Sequence, residues 1–520
     1  MEALILIVVL AATVLIGTTI GGRYRVAPPV LLITMGGLLA LLPPFSHVVL
    51  EPEVVLLLFL PAVLYRESLV ISLREIRANK LVIASLSVAL VGVTMVGVAL
   101  VAQGLGLDPA AAWVLGAVLA PTDAAAVAGL AKRMPRRILT TLRAESLVND
   151  GTALVLFSVA VGLIVGGTTP GPLGFLGRFV ASAAGGVGAG LAVSLVVVLI
   201  RKRIDDPMRE GALSVLTPFT AFLLAEVVHA SGVLAVVVAG LVLSYAGPRV
   251  IRARSRVIAY AFWDLSTFLV NGSLFVLLGM QIPRAVQSVT GRSVTQAITI
   301  ALAVTAVVMV IRLVWLQLFS YGLPVVRRGP AVDRRVRLAA GWAGFRGAVS
   351  LAAALAVPMT TRAGEPVRGR DLIIFCTAVV IVSTILIQGT TLPAVAEWAG
   401  LRGDRERGDE VRQARLKATE AGLTALPQVA TDLGVTPDAV ERLRADYQRH
   451  LDESAAAGRG EEADRVRELD RRLRLGVLEH KRREVTRLRD SNEIDDSVQR
   501  EVQAALDIEE LRLLGPETEV

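Results

Sequence analysis

Cysteine, histidine and charged residues are all scarce in this 520-residue chain. The single cysteine, Cys376, excludes a disulfide framework and a cysteine metal cluster. Four histidines without an HExxH pattern argue against a zinc site. No GxxxxGK[ST] run is present to bind ATP, and no GxSxG run supplies the serine of a hydrolase. The sequence therefore predicts neither an ATPase nor an enzyme, and it predicts no cofactor.

Apolar residues are abundant instead: they make up 54% of the chain, and the mean hydropathy is +0.62. Residues 1–400 hold 32 Lys and Arg against 18 Asp and Glu, whereas the last 120 residues hold 22 against 28. The basic residues of the body lie between apolar segments, which favours a membrane over a nucleic-acid partner. We therefore predict a transmembrane domain over 1–398 and a cytoplasmic helical domain over 399–520.

The body contains thirteen apolar stretches of the length that crosses a bilayer as a helix. The predicted spans are 3–20, 28–44, 53–71, 81–102, 110–131, 142–165, 175–200, 211–228, 230–246, 257–281, 295–321, 337–358 and 371–395. The first lacks a basic flank or a cleavage site, so it is read as a retained span and not as a signal peptide.

The loops between the spans set the predicted orientation. Counted with the adjoining span ends, loops after odd-numbered spans carry 24 Lys and Arg, and those after even-numbered spans carry 6. Basic loops stay in the cytoplasm. We therefore predict that the N-terminus lies outside the cell and the C-terminal tail in the cytoplasm.

A few ionisable residues fall well inside the predicted spans, where they are costly and usually mark an ion or proton pathway. They are Asp123, Glu145, Asp150, Glu226, Asp264, Arg312 and Arg346. Glu226 and Asp264 lie nearer the water, either at the ends of access routes or simply at the interface. Arg312 is alone in its span, so it is expected to pair or to extend toward the membrane surface.

The run ESLVNDGTALVLF, residues 145–157, carries the densest polar cluster of the body. Ser146, Asn149 and Asp150 share one helix face, because residues three and four apart are neighbours there. Their hydroxyl, amide and carboxylate oxygens are ligands that small, hard cations prefer. The pattern predicts a cation site on this face.

Two other runs predict interrupted helices. In LAPTDAAAVAGL, Pro121 removes a backbone donor next to Thr122 and Asp123. In AAGWAGFRGAVSLAAAL, three glycines surround Arg346. If spans 1–6 and 8–13 form two inverted repeats, these breaks occupy corresponding positions, which is where transporters bind their substrate.

Together, APTDAAAV, ESLVNDGTALVLF, FRGAVSLA and VSTILIQGTTLP resemble the monovalent cation/proton antiporter family, which includes NhaP-type antiporters and animal sodium/proton exchangers. The resemblance covers about 1–398. It implies an all-α fold of about thirteen transmembrane helices, in two inverted repeats with two broken, crossing helices. It also implies a homodimer in the plasma membrane.

Carried over by motif, Asp150 resembles the carboxylate that binds cation and proton in turn, with Ser146 and Thr122 as further ligands of Na⁺ or another monovalent cation. Asp123 lies nearby, acting through water, and Asn149 fills the position that marks the electroneutral branch.

The same resemblance implies a structural ion pair between Glu145 and Arg346 near the site. The chain departs from the family pattern in span 3, where many relatives carry a glutamate just after an LPxxLF motif. FLPAVLYRESL has Arg66 there and Glu67 one residue later, which turns the side chain by about 100°. Whether Glu67 contributes to the site is left open.

A proton and a cation exclude each other at one buried carboxylate, so the movement of one can drive the movement of the other without ATP. One carboxylate exchanges one proton for one cation, which makes the predicted exchange 1:1 and electroneutral. The sequence thus predicts Na⁺/H⁺ antiport, with K⁺/H⁺ antiport or a cation channel as alternatives and Na⁺, Li⁺ or K⁺ as the transported ion.

In the tail, Leu469, Leu473 and Val477 recur at helical spacing and predict one apolar stripe.

Overall fold

The computed structural model describes residues 2–24, 26–45, 55–71, 73–123, 136–165, 172–287, 294–322, 333–401, 405–456, 461–491, 493 and 496–514. Within these ranges the regular structure is helical, apart from one isolated bridge between Thr360 and Pro366. The chain divides into two compact units, Met1–Gly403 and Asp404–Val520.

The helices of the first unit follow the apolar stretches of the sequence. They are α1 (Glu2–Tyr24), α2 (Pro28–Leu39), α3 (Leu60–Val70), α4 (Leu73–Ala78), α5 (Lys80–Ala84), α6 (Leu90–Gly104), α7 (Pro109–Leu119), α8 (Arg136–Ile164), α9 (Pro172–Arg201), α10 (Pro207–Val227), α11 (Gly232–Val250), α12 (Ala253–Gln287), α13 (Val294–Gly322), α14 (Arg334–Trp342), α15 (Ala348–Leu355) and α16 (Arg370–Trp398). Two π-helical turns, Val55–Phe59 and Ser85–Ala89, lead into α3 and α6.

Capping residues explain why several helices start where they do. Asp108 accepts hydrogen bonds from two backbone N–H groups in the first turn of α7, and Pro109 occupies the first helical position. Asp206 and Ser231 cap α10 and α11 in the same way. Such caps satisfy donors that a helix start leaves unpaired. They allow short turns between long apolar helices.

Nine helices of the described ranges are long and apolar enough to cross a membrane, and α2 and α7 are shorter apolar helices. The chain is therefore a multi-pass membrane protein. Helical segments lie at all thirteen predicted positions, but four of these segments fall below the length of a full span within the described residues. The count of thirteen spans stays a prediction.

Three buried apolar clusters hold the first unit together. Between α2 and α12 the backbones touch: a Cβ added at Gly36 would overlap the backbone of Val276, and one at Gly279 would overlap that of Ile33. In lipid no hydrophobic force draws helices together, so small residues that permit this approach carry the packing. Glycine is needed at both positions.

The second unit consists of four helices: α17 (Arg405–Leu433), α18 (Pro437–Ala456), α19 (Glu461–Asp490) and α20 (Asp496–Leu514). Leu478, Val485 and Leu506 form its small buried cluster, which joins α19 to α20.

The predicted stripe of the tail is wrong in register. Leu469, Leu473 and Val477 are all exposed. The face of α19 that packs on α20 instead carries the partly buried Leu475 with the buried Leu478 and Val485.

Candidate functional site

Two interruptions of the helical structure touch each other near the middle of the first unit. Helix α7 ends just before Pro121, and residues 343–347 separate α14 from α15. The backbone N–H of Asp123 donates a hydrogen bond to the carbonyl of Phe345 at 2.9 Å. Non-helical backbone is tolerated at membrane depth only where protein or a wet cavity covers it. The interruptions predicted from proline and glycine therefore meet at one point.

Gly347 brings the carboxylate of Asp123 to the start of α15. A Cβ added at Gly347 would overlap that carboxylate. The first backbone N–H groups of a helix carry partial positive charge. The absence of a side chain at position 347 thus lets an acidic group approach a positive helix end.

Helix α8 presents the predicted oxygen cluster to the interior. Glu145, Ser146, Asn149 and Asp150 are all buried. The sequence pattern placed Ser146 and Asp150 on one face, one helical turn apart, and this arrangement is present in α8. The buried face of α8 lies against α7, which carries the chain to the first interruption.

A short chain of hydrogen bonds connects this helix to the interruption after α7. The amide nitrogen Nδ2 of Asn149 donates to Oγ1 of Thr122 at 2.8 Å, and Oγ1 of Thr122 donates to Oε1 of Glu145 at 3.2 Å. The amide oxygen Oδ1 of Asn149 has no hydrogen-bond partner among the described residues although it is buried. This oxygen is an unused acceptor beside the predicted cation ligands.

Three carboxylates lie close enough to one another to interact electrostatically. Asp150 interacts with Asp123 and with Glu67, and Glu67 also interacts with Arg66 and Arg143. In the described part of the chain, no hydrogen bond or ion pair to the Asp150 carboxylate is found. Like charges in a low-dielectric site cannot all stay ionised without a counter-charge. Arg66 and Arg143 offset the charge of Glu67, whereas Asp150 has no such partner among the described residues, so a bound proton or a bound cation would stabilise it.

The partner of Glu145 differs from the expected one. Nη1 of Arg312 donates to Oε1 of Glu145, and Nη2 of Arg312 donates to Oε2 at 3.0 Å. Both side chains are at most 2% exposed. A Cβ at Gly344 would overlap the Arg312 side chain, so glycine makes room for the guanidinium. Arg312 was expected to pair or to reach for the surface, and it pairs.

The described residues show no direct ion pair between Glu145 and Arg346, and the structural role that the resemblance implies for these two residues stays a prediction. Nη1 of Arg346 donates to the carbonyl of Gly344 at 3.2 Å, and its backbone N–H donates to Oγ1 of Thr384 at 3.4 Å. Arg346 acts on Glu145 only through space. The bidentate geometry of a guanidinium and a carboxylate leaves Glu145 with no need of a second arginine.

The outlying acidic residues have different surroundings. Asp264 on α12 accepts a hydrogen bond from Nε of Arg66 on α3, whose guanidinium also lies 5.9 Å from the ring centre of Tyr260. Glu226 is exposed near the end of α10 and interacts electrostatically with His229. Of the two readings given to Asp264, neither included this ion pair.

Sequence reasoning missed one further contact at the site. Ser87, in the π-helical turn before α6, is fully buried and donates to the backbone carbonyl of Glu145 at 3.2 Å. A serine in an apolar run carries little signal by itself. The only hint is the pair of serines at 85 and 87 inside an otherwise apolar span.

Comparisons with known proteins agree with this geometry. A family model described as sodium/hydrogen exchanger, transmembrane, matches residues 8–398. An uncharacterized Na(+)/H(+) exchanger of Mycobacterium bovis is 53% identical over 99% of this chain and 96% of its own. A sodium, potassium, lithium and rubidium/H(+) antiporter of Bacillus pumilus is 30% identical over 82% of this chain and 66% of its own.

A solved structure shares the fold. The sodium proton antiporter MjNhaP1 from Methanocaldococcus jannaschii aligns with a TM-score of 0.59 at 20% identity, over 76% of this chain and 99% of that one. The likeness at this identity concerns the fold alone. It confirms the all-helical membrane fold class predicted from the sequence.

Proposed function

The chain belongs to the transmembrane sodium/hydrogen exchanger family, and from this premise we propose that it exchanges Na⁺ for H⁺ across the plasma membrane at a site centred on Asp150. The family is one of antiporters, which are transporters and not enzymes. We propose alternating access, in which the site faces one side of the membrane at a time.

The arrangement of Asp150 supports this proposal most directly. Its buried carboxylate has no described hydrogen bond or ion pair and lies near two other carboxylates. An ionised group in a low-dielectric site needs a compensating charge. Either a proton or a cation supplies it, and the two exclude each other. That exclusion couples the two fluxes.

We assign the other residues as follows. Oxygens of Thr122 and Ser146 join Asp150 in binding the cation, and Oδ1 of Asn149, which has no hydrogen-bond partner among the described residues, is a further acceptor. Asp123 stays ionised because the positive start of α15 lies against it. Oxygen donors of this kind suit a hard monovalent cation.

Glu67 joins this site electrostatically. It interacts with Asp123 and contributes to the field at Asp150, despite standing one position later than in the family pattern. The Glu145–Arg312 pair, by contrast, holds α8 against α13 and does not carry an ion. Each cycle then moves one proton against one cation and no net charge.

K⁺/H⁺ antiport is the second candidate, since the relative from Bacillus pumilus is named for sodium, potassium, lithium and rubidium. A cation channel is the third and the least supported, because the carboxylate of Asp150 is buried and lies near two other carboxylates, an arrangement that suits exchange of a proton for a cation. We further propose a homodimer with its N-terminus outside and its tail in the cytoplasm.

Replacing Asp150 by asparagine tests the proposal. Asp150→Asn should abolish cation-driven proton movement in inverted vesicles, because an amide does not release a proton at neutral pH. Proton movement is followed with a pH-sensitive dye after addition of Na⁺, Li⁺ or K⁺ at several pH values, which also ranks the cations.

Asp108→Asn is the matched control, since Asp108 caps α7 away from the site and asparagine caps a helix equally well. It should transport normally. Substantial exchange by folded Asp150→Asn protein would remove Asp150 from the centre of the mechanism, and cation flux without proton movement in the unaltered protein would favour the channel.

A further inference from the structure

A second site lies outside the carboxylate cluster. A cavity of about 500 Å³ opens between α8 on one side and α9 with the α10–α11 turn on the other. Ser158 marks the α8 wall, two helical turns beyond Asp150. The volume is within the range of cavities that hold small ligands.

Basic side chains from three separate elements line this cavity. Arg178 comes from α9, His229 from the α10–α11 turn and Arg362 from the segment between α15 and α16. Neither Arg178 nor Arg362 makes a side-chain hydrogen bond or ion pair with a described residue, and no acidic residue is among the described residues that line the cavity. Both arginines are exposed side chains that line one space, and neither has a counter-charge among the described residues.

The walls of the cavity are held firmly. The backbone N–H of Ser231 donates to the carbonyl of Ser182 on α9 at 3.1 Å, which fixes the α10–α11 turn to α9. The backbone N–H of Arg362 donates to the carbonyl of Val165 at 3.1 Å, which fixes the third element to the end of α8. These two backbone hydrogen bonds keep the elements that carry Arg178, His229 and Arg362 next to one another.

Two acidic residues, Glu226 and Glu365, lie near the basic side chains of the cavity, but neither lines it. Glu226 interacts electrostatically with His229 but does not line the cavity. Glu365 follows Arg362 by three residues and is exposed, and it too does not line the cavity. Neither arginine has an acidic partner among the described residues, so both are accessible to an anion from solution.

We propose that this cavity binds an anion through a phosphate group, held by the two guanidinium groups with Ser182 as a neutral donor. Guanidinium forks match phosphate oxygens in geometry and bind them with charge-assisted hydrogen bonds. The phosphate can be a free ion or the headgroup of an anionic lipid.

The location fits a lipid phosphate as well as a free one. Arg178 lies in the second turn of α9, and the cavity is next to the last turn of α8, so it sits at helix ends, where lipid headgroups lie. Exposed apolar side chains flank it, among them Val180 and Val227. Two guanidinium groups at this depth can bind the phosphate of an anionic headgroup as they would a free phosphate.

Thermal unfolding of the full chain tests the proposal. The probes are inorganic phosphate at constant ionic strength, and dioleoyl phosphatidylglycerol compared with dioleoyl phosphatidylcholine. At least one of the two phosphate probes should raise the Tm of the unaltered protein, because a ligand that binds only the folded state stabilises it. The double variant Arg178→Gln/Arg362→Gln should bind the same probe at least tenfold more weakly.

Arg368→Gln is the matched control, because Arg368 is an exposed arginine of the same segment and does not line the cavity. It should respond as the unaltered protein does. Should the double variant fail to fold, each single variant is measured instead and should show a weakened response.

The pattern of responses shows whether the bound phosphate is a free ion or belongs to a lipid headgroup. A response to inorganic phosphate alone identifies a free-ion site, and a response to phosphatidylglycerol alone identifies a lipid site. An equal response in the double variant, or no response of the unaltered protein to either probe, would overturn the proposal.

Discussion

The guanidinium of Arg312 determines how the acidic end of α8 is stabilised. It binds both oxygens of Glu145 in a site that is almost closed to water. Taking away one partner of such a pair leaves an uncompensated buried charge, which costs about 3–5 kcal/mol. The pair is therefore a stability element next to the transport site.

A double-mutant cycle should identify the true partner of Glu145. Glu145→Gln and Arg312→Met should each lower the Tm, and the double variant should recover part of the loss because no isolated charge is left. Combining Glu145→Gln with Arg346→Met should recover little. Thermal unfolding in detergent measures both. A larger recovery with Arg346→Met would restore the ion pair expected from the sequence.

Gly347 gives the second prediction for a single position. Gly347→Ala should push the Asp123 carboxylate away from the start of α15, because the new Cβ would occupy its place. We expect transport to fall at least tenfold, with overpacking costing about 1–3 kcal/mol of stability. Gly92→Ala is the control, since a Cβ at Gly92 meets no atom within 4 Å. Normal exchange by Gly347→Ala would show that the position of Asp123 is unimportant.

Individual acidic residues were predictable from the sequence, and their partners were not. Asp150 and Glu145 stand out because a charge in an apolar span is costly. The choice of Arg312 over Arg346 depends on how α13 is rotated about its axis and on where the non-helical segment between α14 and α15 runs. Glu145 and Arg312 are 167 residues apart, and no local pattern reports that rotation.

Among the helices, interruptions were easier to predict than contacts. Pro121 predicted the end of α7, and the glycines around Arg346 predicted the break between α14 and α15. Both residue types disturb the regular backbone of a helix. The family resemblance implied that the two segments cross, but the hydrogen bond from Asp123 to Phe345 depends on how closely their backbones approach, which no local pattern reports. The π-helical turns before α3 and α6 left no recognisable sequence signal either.

The crossing of α2 and α12 leads to a prediction about packing. Gly279→Ala should lower stability by about 1–3 kcal/mol, because its Cβ would overlap the carbonyl of Ile33 and the backbone cannot yield cheaply. Gly188→Ala in α9, where a Cβ meets nothing within 4 Å, should be neutral. Comparison of their Tm values checks this. Equal Tm values would mean that the two helices separate easily.

For the complete protein, composition and charge distribution were the main basis for predicting the architecture. They predicted a helical membrane body and a helical tail, and the family resemblance based on four motifs is confirmed. The orientation of the termini stays a prediction that rests on the basic loops. The homodimer and the transported cation also stay predictions.

Exchange by the complete protein should be electroneutral. One titrating carboxylate moves one proton against one cation, and Asn149 adds no charge next to Asp150. Transport in proteoliposomes should therefore not respond to a membrane potential imposed with valinomycin and a K⁺ gradient, when Na⁺ is the transported ion. Rates that rise steadily with potential would mean that Asp123 or Glu67 also releases a proton during the cycle.

The burial of Cys376 bears on how movement in this protein can be observed. Its thiol is fully enclosed in α16, so water-soluble maleimides should not reach it while the protein is folded. The natural chain therefore offers a nearly silent background for fluorescent or spin labels. A single cysteine introduced at an exposed helix end, such as Gly104 at the end of α6, would be the only one to react. Pairs of such labels would then report changes in distance between helices during exchange, without any replacement inside the core.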